Sequence, residues 1–311
     1  MNTTLTAING LTVGHWSDQT GKTGCTVILC PPDGCVASGS ALGAAPGVRQ
    51  MTLLEPSKTV EKVHAVVLAG GSAFGLDAVG GVMKWLEQQN RGLPTPFGKV
   101  PIVPAAVIYD LSQGDAKARP NAEAGYFAAS CATSAPVETG LVGAAVGSST
   151  GKYLGYEFAS RGGLGSAAKN VDGATVAALA VCNAFGDVFD LQGQLVAGAT
   201  KRVPDLANAL LVHSSADTNN EPVYGASGTN TTLVVVATDA PLSKAQAYAL
   251  SQSAHIGIAR VTRPSHTVYD GDTTFVLSTA TGPNVPLLAL SVAVQEVVAE
   301  AIIKGALEGN L

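Results

Sequence analysis

The sequence has few charged residues: Asp, Glu, Lys and Arg make up 13% of its 311 residues, about half the usual share of globular domains. Hydrophobic residues make up 46%, so the chain can bury a large core, and we expect it to hide further surface in an oligomer. The formal net charge of −5 gives no reason to expect nucleic acid or an anionic membrane as a partner.

Cysteine is also sparse, and its spacing contains no C-x-x-C pair. An odd number of cysteines without that pattern favours buried free thiols in a reducing compartment over disulfides or a zinc site. Residues 1–20 lack a basic start and a continuous apolar run, so no signal peptide is expected, and no stretch of 18 uninterrupted apolar residues predicts a membrane span. We therefore expect a cytoplasmic protein. The cysteines are Cys25, Cys30, Cys35, Cys131 and Cys182.

Three familiar catalytic patterns are missing or incomplete. Residues 147–152 resemble a phosphate-binding loop but are one residue short, and Tyr153 follows where Ser or Thr should bind magnesium. Residues 70–75 do not form a serine-hydrolase elbow, because Phe74 replaces its second glycine. The five histidines have no H-E-x-x-H pattern, so no metal is expected. A hydroxyl nucleophile here would need another base, and a freed α-amino group, with a pKa of about 7.7–8.0, suits neutral pH.

A flexible, hydroxyl-rich stretch runs directly into an apolar segment at residues 225–236. Gly225 and Gly228 loosen the backbone, whereas residues 233–236 are typical of a strand buried on both faces. A threonine at the entrance to such a strand is held rigidly and can be freed by a cut in the loop, as an N-terminal nucleophile requires. From the stretch alone, an ordinary Thr/Ser-rich loop before a strand is the favoured interpretation.

The apolar patterns predict strands and long helices in mixed order. Without strict βαβ alternation, an internal repeat or a linker, the chain is predicted to be one α/β domain over 1–311, with sheets covered by helices in a layered sandwich. Residues 140–173 form a glycine-rich passage to which no element is assigned, and residues 191–229 are expected to be polar and irregular, with an exposed turn at 217–220. The predicted strands are 24–30, 35–40, 63–69, 105–111, 176–181, 232–238 and 275–278, and the predicted helices are 76–86, 122–132, one capped by Ser243, and 292–303.

Seven motifs, in one order along the chain, resemble those of the DmpA-type aminopeptidase family, which includes β-peptidyl aminopeptidases and the nylon oligomer hydrolase. One such motif alone would be weak, but seven in family order are specific, and they extend over nearly the whole chain. The motifs occupy residues 68–76, 106–110, 151–152, 161–166, 183–187, 230–232 and 266–273.

The resemblance implies a four-layer αββα sandwich made as one inactive precursor. The precursor cuts itself before a Ser or Thr into a large and a small chain, which stay together and assemble further, with a tetramer favoured. On this sequence the cut falls between Asn230 and Thr231, giving chains 1–230 and 231–311 with Thr231 as nucleophile. It implies no cofactor and a small peptide or amide as substrate.

The resemblance also assigns roles near the new N-terminus. Thr231 Oγ would attack the Asn230 carbonyl and later an external amide, with its own amine as base; the rival Thr232 would point to the opposite face of the strand. Asn183 could donate to the developing oxyanion, or could simply form a turn. Lys152 could favour the deprotonated amine of Thr231, or could be an ordinary solvated lysine.

The remaining site candidates have equally plain alternatives. Asp270 and Asp272 could bind the α-ammonium and hydroxyl groups of Thr231, or could form a polar β-turn. Tyr109 could donate a phenolic hydrogen bond, or could be a half-buried core aromatic. The turn Gly70-Gly71-Ser72 could line the pocket with free amides at a helix start, although tight turning alone explains it.

The predicted function is that of a self-processing N-terminal threonine hydrolase, most simply an aminopeptidase or amidase acting on short peptides that can contain β- or D-residues. Thr231 with the Asp pair sides with the nylon oligomer hydrolase branch, because the β-peptidyl branch has a Ser nucleophile, with Ser and Glu in place of Asp270 and Asp272. An amide-oligomer endohydrolase or an acyltransferase is therefore an alternative. An unprocessed small-molecule binding protein is an alternative of another class.

Overall fold

The computed structural model describes residues 2–201, 203, 205–207 and 229–311, and over these ranges the chain is mixed α/β. Its helices are α1 Ala78–Gln88, α2 Ala122–Ser130, α3 Lys244–Val261 and α4 Leu287–Glu308. Its strands are β1 Thr12–Asp18, β2 Thr23–Leu29, β3 Cys35–Ala41, β4 Val48–Arg49, β5 Lys62–Val63, β6 Ala65–Ala69, β7 Leu93–Thr95, β8 Gly98–Val100, β9 Ala105–Val107, β10 Ser149–Thr150, β11 Ser160–Arg161, β12 Gly163–Val171, β13 Ala174–Asn183, β14 Asp187–Phe189, β15 Leu195–Ala197, β16 Thr231–Thr238, β17 Thr262–Arg263 and β18 Thr273–Ser278.

Two large sheets organise these strands. One has five strands in the order β1-β2-β6-β9-β4, and the other has six in the order β12-β13-β16-β18-β3-β5. Strand β16 lies in the interior of the six-stranded sheet, antiparallel to β13 on one side and parallel to β18 on the other. Strand β16 is paired with β13 over all its residues and with β18 from Leu233 onwards, so its backbone is fixed from both sides over 233–238.

Three apolar cores lie on the faces of these sheets. One contains side chains from both sheets, such as Leu68 and Val235. A second joins the six-stranded sheet to α3 and α4, and a third joins the five-stranded sheet to α1 and α2. Each sheet is therefore covered on both faces, which explains why inner strands such as β6, β13 and β16 are buried along almost their whole length rather than alternating with exposed polar residues.

The side chains of β16 alternate between two of these cores. Leu233 and Val235 belong to the core between the sheets, whereas Val234 and Val236 face the helices α3 and α4. Since successive strand residues point to opposite faces, Thr231 at the start of the strand lies on the side of the other sheet. The strand thus aims its first side chain into the gap between the sheets.

Most of the elements expected from the sequence are present, with boundaries shifted by a few residues. Helix α3 begins with the expected capping box, in which the Ser243 side chain accepts a hydrogen bond from the Gln246 N–H while the Gln246 side chain binds the Ser243 N–H. The last helix is longer than the expected 292–303. Within the described ranges, no helix is long and apolar enough to cross a membrane.

Two expectations about elements were wrong. The strand expected over 105–111 ends at Val107, because Asp110 turns back to bind the Gly71 N–H and leaves the ladder. The glycine-rich passage 140–173, to which no element was assigned, contains β10, β11 and the nine-residue β12. The strand was missed because this passage is rich in glycine, which is unfavourable within regular secondary structure and gives no apolar pattern typical of a strand. The loop at 225–228 and the expected turn at 217–220 lie outside the described residues.

Candidate active site

Three segments converge on Thr231, the first residue of β16. Asn183, the last residue of β13, lies directly opposite Thr231 in the antiparallel ladder. On the other side of β16, Asp270, Gly271 and Asp272 immediately precede β18, and Asn230 forms a parallel bridge with Asp270. The ends of three neighbouring strands therefore bring most of the expected polar residues together around one peptide bond.

The carbonyl group of Asn230, which precedes Thr231, accepts two hydrogen bonds. The Gly271 N–H donates to the Asn230 oxygen at 2.7 Å, and the Thr231 hydroxyl donates to the same oxygen over a short contact. A side chain at position 271 would bring its Cβ to 2.9 Å from Thr231 Oγ and 2.7 Å from the Ala45 oxygen, so only glycine fits. The sequence analysis missed Gly271, although its place between two candidate carboxylates was a signal.

Asn183 is completely buried and uses both ends of its side-chain amide. Its Oδ1 accepts from the Lys152 ammonium at 2.9 Å and from the Ser149 N–H at 3.0 Å. Its Nδ2 donates to the carbonyl oxygens of Tyr109 at 3.3 Å and of Thr229 at 3.5 Å. This hydrogen bonding orients the amide, so that its Nδ2 lies between the Tyr109 carbonyl and the carbonyl of Thr229, the residue before Asn230.

Lys152 is buried, with a relative exposure of 1%. The alternative prediction of an ordinary solvated lysine was therefore wrong. Its Nζ donates to Asn183 O and Oδ1, each at 2.9 Å, and to Thr229 O at 3.4 Å. Burial lowers the pKa of Lys152 to about 7, and the charge of Asp270 opposes this shift. All three oxygen atoms are acceptors, so the Lys152 Nζ needs three N–H groups to bind them. Only the ammonium form of lysine has three, and the contacts therefore correspond to that form.

Neither carboxylate forms a hydrogen bond with the Thr231 hydroxyl in the uncleaved chain, so their binding to the α-ammonium and hydroxyl groups of a freed Thr231 stays a prediction. Asp270 accepts from the Thr267 N–H at 2.9 Å and, less closely, from the Phe185 N–H. Asp272 Oδ1 accepts from the Thr232 N–H at 2.6 Å, so it holds the residue after the candidate nucleophile. Burial, reinforced by the neighbouring Asp272, raises the pKa of Asp270 to about 6.

The Gly70-Gly71-Ser72 turn has no free amides, which corrects the reason for expecting it in the pocket. The Gly70 N–H donates to Gly24 O, the Gly71 N–H to Asp110 Oδ1 and the Ser72 N–H to Ile108 O. A Cβ on Gly70 would lie 2.0 Å from Asp110 Oδ2. Tight turning around a buried carboxylate therefore accounts for the turn.

Two further residues complete the description. Tyr109 is half-buried and meets the site through its backbone carbonyl, so a phenolic role stays a prediction. Asp110, to which the sequence analysis gave no role, binds the Gly71 N–H and the Thr23 hydroxyl, and burial raises its pKa to about 6. The available signal was a lone carboxylate at the end of the apolar run 105–108.

The arrangement has the parts that acyl transfer needs: a hydroxyl beside a carbonyl carbon, donors directed at the carbonyl oxygen, and a buried cation close by. Among the residues that the structure describes, no group of three or more His, Cys, Asp or Glu side chains could hold a metal ion. The chemistry that these residues support is thus attack of Thr231 Oγ on a carbonyl group that the Gly271 N–H holds in place.

Comparison with known proteins points to the same chemistry. The family model described as peptidase family S58 matches residues 3–310. An uncharacterized aminopeptidase of Mycobacterium leprae is 40% identical over 298 residues, covering 88% of this chain and 78% of the relative. A 6-aminohexanoate-oligomer endohydrolase of Kocuria sp. is 29% identical over 276 residues, covering 87% and 73%.

A solved structure extends the comparison to the fold. The L-aminopeptidase D-Ala-esterase/amidase of Ochrobactrum anthropi, described as a variant of the Ntn hydrolase fold, superposes with a TM-score of 0.71 at 20% identity, covering 97% of this chain and 85% of that one. At this identity the likeness concerns the fold alone. The described elements of this chain are therefore arranged as in an Ntn hydrolase.

Proposed function

The chain belongs to peptidase family S58, as its motifs indicated, and on this premise we propose that it is a self-processing N-terminal threonine hydrolase that cleaves amide bonds. Family membership and the aminopeptidase relatives make it an N-terminal nucleophile hydrolase. One observation carries the rest of the proposal: the Thr231 hydroxyl contacts the Asn230 carbonyl oxygen. The Gly271 N–H donates a hydrogen bond of 2.7 Å to the same oxygen and holds the carbonyl group in place.

In the proposed self-cleavage, Thr231 Oγ attacks the carbonyl carbon of Asn230. The oxygen of Asn230 becomes an oxyanion that keeps the Gly271 N–H as donor. The C–N bond then breaks, the hydroxyl proton ends on the departing nitrogen, and Asn230 is left as an ester on Thr231 Oγ. Water opens this ester, which gives a new carboxylate on Asn230 and a free α-amino group on Thr231.

The same groups then act on an external amide. The α-amine of Thr231 accepts the hydroxyl proton as Oγ attacks, and later gives it to the leaving amine. Departure of residues 229–230 would release Asn183 Nδ2 from Thr229 O, so that this amide joins Gly271 as a donor to the oxyanion. The buried cation of Lys152 disfavours a second positive charge and so keeps the amine deprotonated.

Two carboxylates complete the proposed site. When the α-amine has accepted the hydroxyl proton, the ammonium group is the natural partner of Asp270 and Asp272, which form no hydrogen bond with Thr231 before cleavage. Tyr109 would donate its phenolic hydrogen to the substrate from the facing sheet. The turn at 70–72 would contribute to the pocket by its shape.

The substrates proposed are short peptides or related amides, with acyl transfer to an amine in place of water as a further possibility of the same acyl-enzyme. A relative named as a 6-aminohexanoate-oligomer endohydrolase favours testing linear amide oligomers beside aminoacyl amides.

The three cores support a layer order of helices, five-stranded sheet, six-stranded sheet and helices. We further propose that the two chains form heterodimers that assemble into a tetramer.

Thr231→Ala tests this function, with Thr232→Val as a matched control. Thr232 Oγ is buried without a hydrogen-bond partner, so an isosteric valine should leave processing intact. Intact-mass analysis should find two chains for the wild type and for Thr232→Val, but one chain without amidase activity for Thr231→Ala. A wild-type protein that stays one chain would instead indicate an unprocessed binding protein.

Substrate choice needs a panel of its own. Purified, cleaved enzyme would be assayed on aminoacyl p-nitroanilides with α-, β- and D-residues, and on amide oligomers with free and blocked amino ends. Hydrolysis only of substrates with a free amino end would support an aminopeptidase. Equal hydrolysis of blocked oligomers would support endo-cleavage.

A further inference from the structure

His266 makes a direct contact with the carboxylate that holds the strand of the nucleophile. Its Nδ1 lies 2.8 Å from Asp272 Oδ2, and its backbone N–H donates to the same oxygen at 3.0 Å. The other oxygen, Oδ1, accepts from the Thr232 N–H at 2.6 Å. Asp272 thus connects His266 to the backbone next to Thr231.

The second ring nitrogen of His266 also faces an acceptor. Its Nε2 lies 3.2 Å from the backbone oxygen of His255. The ring forms a hydrogen bond with this carbonyl oxygen through Nε2, which must carry a proton because a carbonyl oxygen only accepts. The Nδ1 contact with Asp272 has the distance of an ion pair, 2.8 Å, without hydrogen-bond geometry. A lone pair on Nδ1 would face the carboxylate charge at that distance, so Nδ1 carries a proton as well. Neutral imidazole has one N–H, and the geometry therefore fits the imidazolium ion.

The groups around the ring agree with a positive charge. Asp272, with a side chain 2% exposed, is its ion-pair partner, and the ring itself is 18% exposed. Although burial opposes the shift, Asp272 and the His255 carbonyl, with a further contribution from Asp270, raise the pKa of His266 above its ordinary value. The neighbouring His255 ring packs edge-on at 4.9 Å, and burial lowers its own pKa to about 4, so it adds no second charge.

We infer that His266, as an imidazolium ion, is a positioning residue that holds the Asp272 carboxylate on the Thr232 N–H and thereby fixes the direction of the Thr231 hydroxyl. The backbone supports this assignment, because His266 adopts a positive φ of 55° that turns both its N–H and its ring towards Asp272. The inference rests on the proposed function for its effect on catalysis, but the ion pair itself does not.

The pH dependence follows from the sign of the shift. Because the folded chain raises the pKa of His266, the stabilising contact is complete below the unfolded value of about 6.5 and is lost as the pH rises through the higher folded value. Self-cleavage should therefore slow on the alkaline side. Lys152 and Asp270, with pKa values of about 7 and 6, titrate in the same region, so the contribution of His266 must be isolated by substitution.

The first experiment measures the ion pair without using activity. NMR titration of ¹⁵N-histidine in the uncleaved Thr231→Ala chain, with His266→Asn to assign the signal, should give His266 a pKa above 6.5. Asp272→Asn in the same background should lower that pKa. A His266 ring that is neutral at pH 6.5, or that does not respond to Asp272→Asn, would overturn the inference even if the enzyme cleaves itself as proposed.

The second experiment compares His266→Asn with His266→Ala. Asparagine tolerates positive φ and keeps a neutral N–H for Asp272, whereas alanine offers neither. We expect His266→Ala to slow self-cleavage after refolding by roughly ten- to a hundredfold, as for loss of a hydrogen bond to a charged group. His266→Asn should retain most of the rate and lose the alkaline decline that belongs to His266.

The outcomes separate this inference from the proposed function. Equal rates and pH profiles for wild type and His266→Ala would overturn the positioning role while leaving Thr231 as nucleophile. If His266→Ala fails to fold, His266→Asn decides alone: an unchanged alkaline decline would contradict the inference. A wild-type chain that never cleaves would refute the proposed function, and the NMR titration would still test the ion pair.

Discussion

Gly271 fixes the distance between the candidate nucleophile and the segment that carries both carboxylates. Its N–H holds the Asn230 oxygen at 2.7 Å, while the space where a Cβ would lie is bounded by Thr231 Oγ and the Ala45 backbone. A Cβ atom at position 271 would displace either the Thr231 hydroxyl or the Gly271 N–H that binds the Asn230 oxygen. The close approach of the backbone is thus part of the geometry of the reaction.

We predict that Gly271→Ala reduces the rate of self-cleavage about a hundredfold or more, in the range seen when one oxyanion donor is lost. The added Cβ must push the 270–272 segment away from the Asn230–Thr231 bond. The cleaved fraction after refolding, followed by intact mass, measures the rate. Gly80→Ala is the matched control, since the nearest atom to a Cβ there is 4.0 Å away.

Processing of Gly271→Ala at the rate of the wild type would show that the 271 segment does not support the carbonyl group. Loss of processing in Gly80→Ala as well would mean that the assay reports folding in general, and the comparison would then fail. Circular dichroism of both variants keeps the two cases apart.

For single residues of the site, the sequence predicts functional side chains better than it predicts functional backbone groups. Thr231, Asn183 and Lys152 came from motifs whose residue types have recognisable chemistry, and the structure brings them together. The Gly271 N–H has no side-chain signature, so its place between two candidate carboxylates was the one sign of its role. The contact of Asp272 with the Thr232 N–H was not predicted, because it depends on a tertiary register.

At the scale of elements, glycines set the distance between helix α4 and strand β12. A Cβ on Gly165 would lie 2.0 Å from Ala301 O, and one on Gly305 would lie 2.8 Å from Gly165 N. The helix therefore packs on bare backbone. This packing positions α4 against the six-stranded sheet that contains β13 and β16.

Gly305→Ala is predicted to destabilise the protein by about 1–3 kcal/mol, the usual cost of overpacking a core. The sign is diagnostic, because glycine to alanine inside a helix ordinarily stabilises by up to about 1 kcal/mol. Urea unfolding of the uncleaved Thr231→Ala background would measure the free-energy change. Glu300→Ala, at an exposed position of α4, controls for substitution in this helix and should change stability by at most about 0.5 kcal/mol.

A gain of stability in Gly305→Ala would contradict close packing of α4 on β12. The same glycines explain why the sequence predicted the long apolar helices well and missed β12. Helix periodicity is local and survives in α3 and α4, whereas the glycines of β12 are explained only by a helix more than a hundred residues later. The strand is stabilised by its partners, not by its own composition.

At the scale of the whole molecule, the proposed cut divides the six-stranded sheet between two chains. Strands β16 and β18 would belong to the small chain, and their outer neighbours β13 and β3 to the large chain. Helices α3 and α4, which cover this sheet, also follow the cut. The family resemblance predicted two chains that stay together, but only the strand order explains what would hold them.

The small chain, 231–311, should therefore remain bound to the large chain under native conditions after cleavage. It pairs with β13 over eight residues and with β3 over six, and both pairings, together with the shared core, must break before it can leave. Native size-exclusion chromatography should give one peak that contains both chains in equal amounts, at the elution volume of uncleaved Thr231→Ala, and denaturant should separate them. A small chain of 81 residues (311 − 230) eluting by itself in native buffer would contradict this arrangement, because nothing short of unfolding should free the centre of a paired sheet.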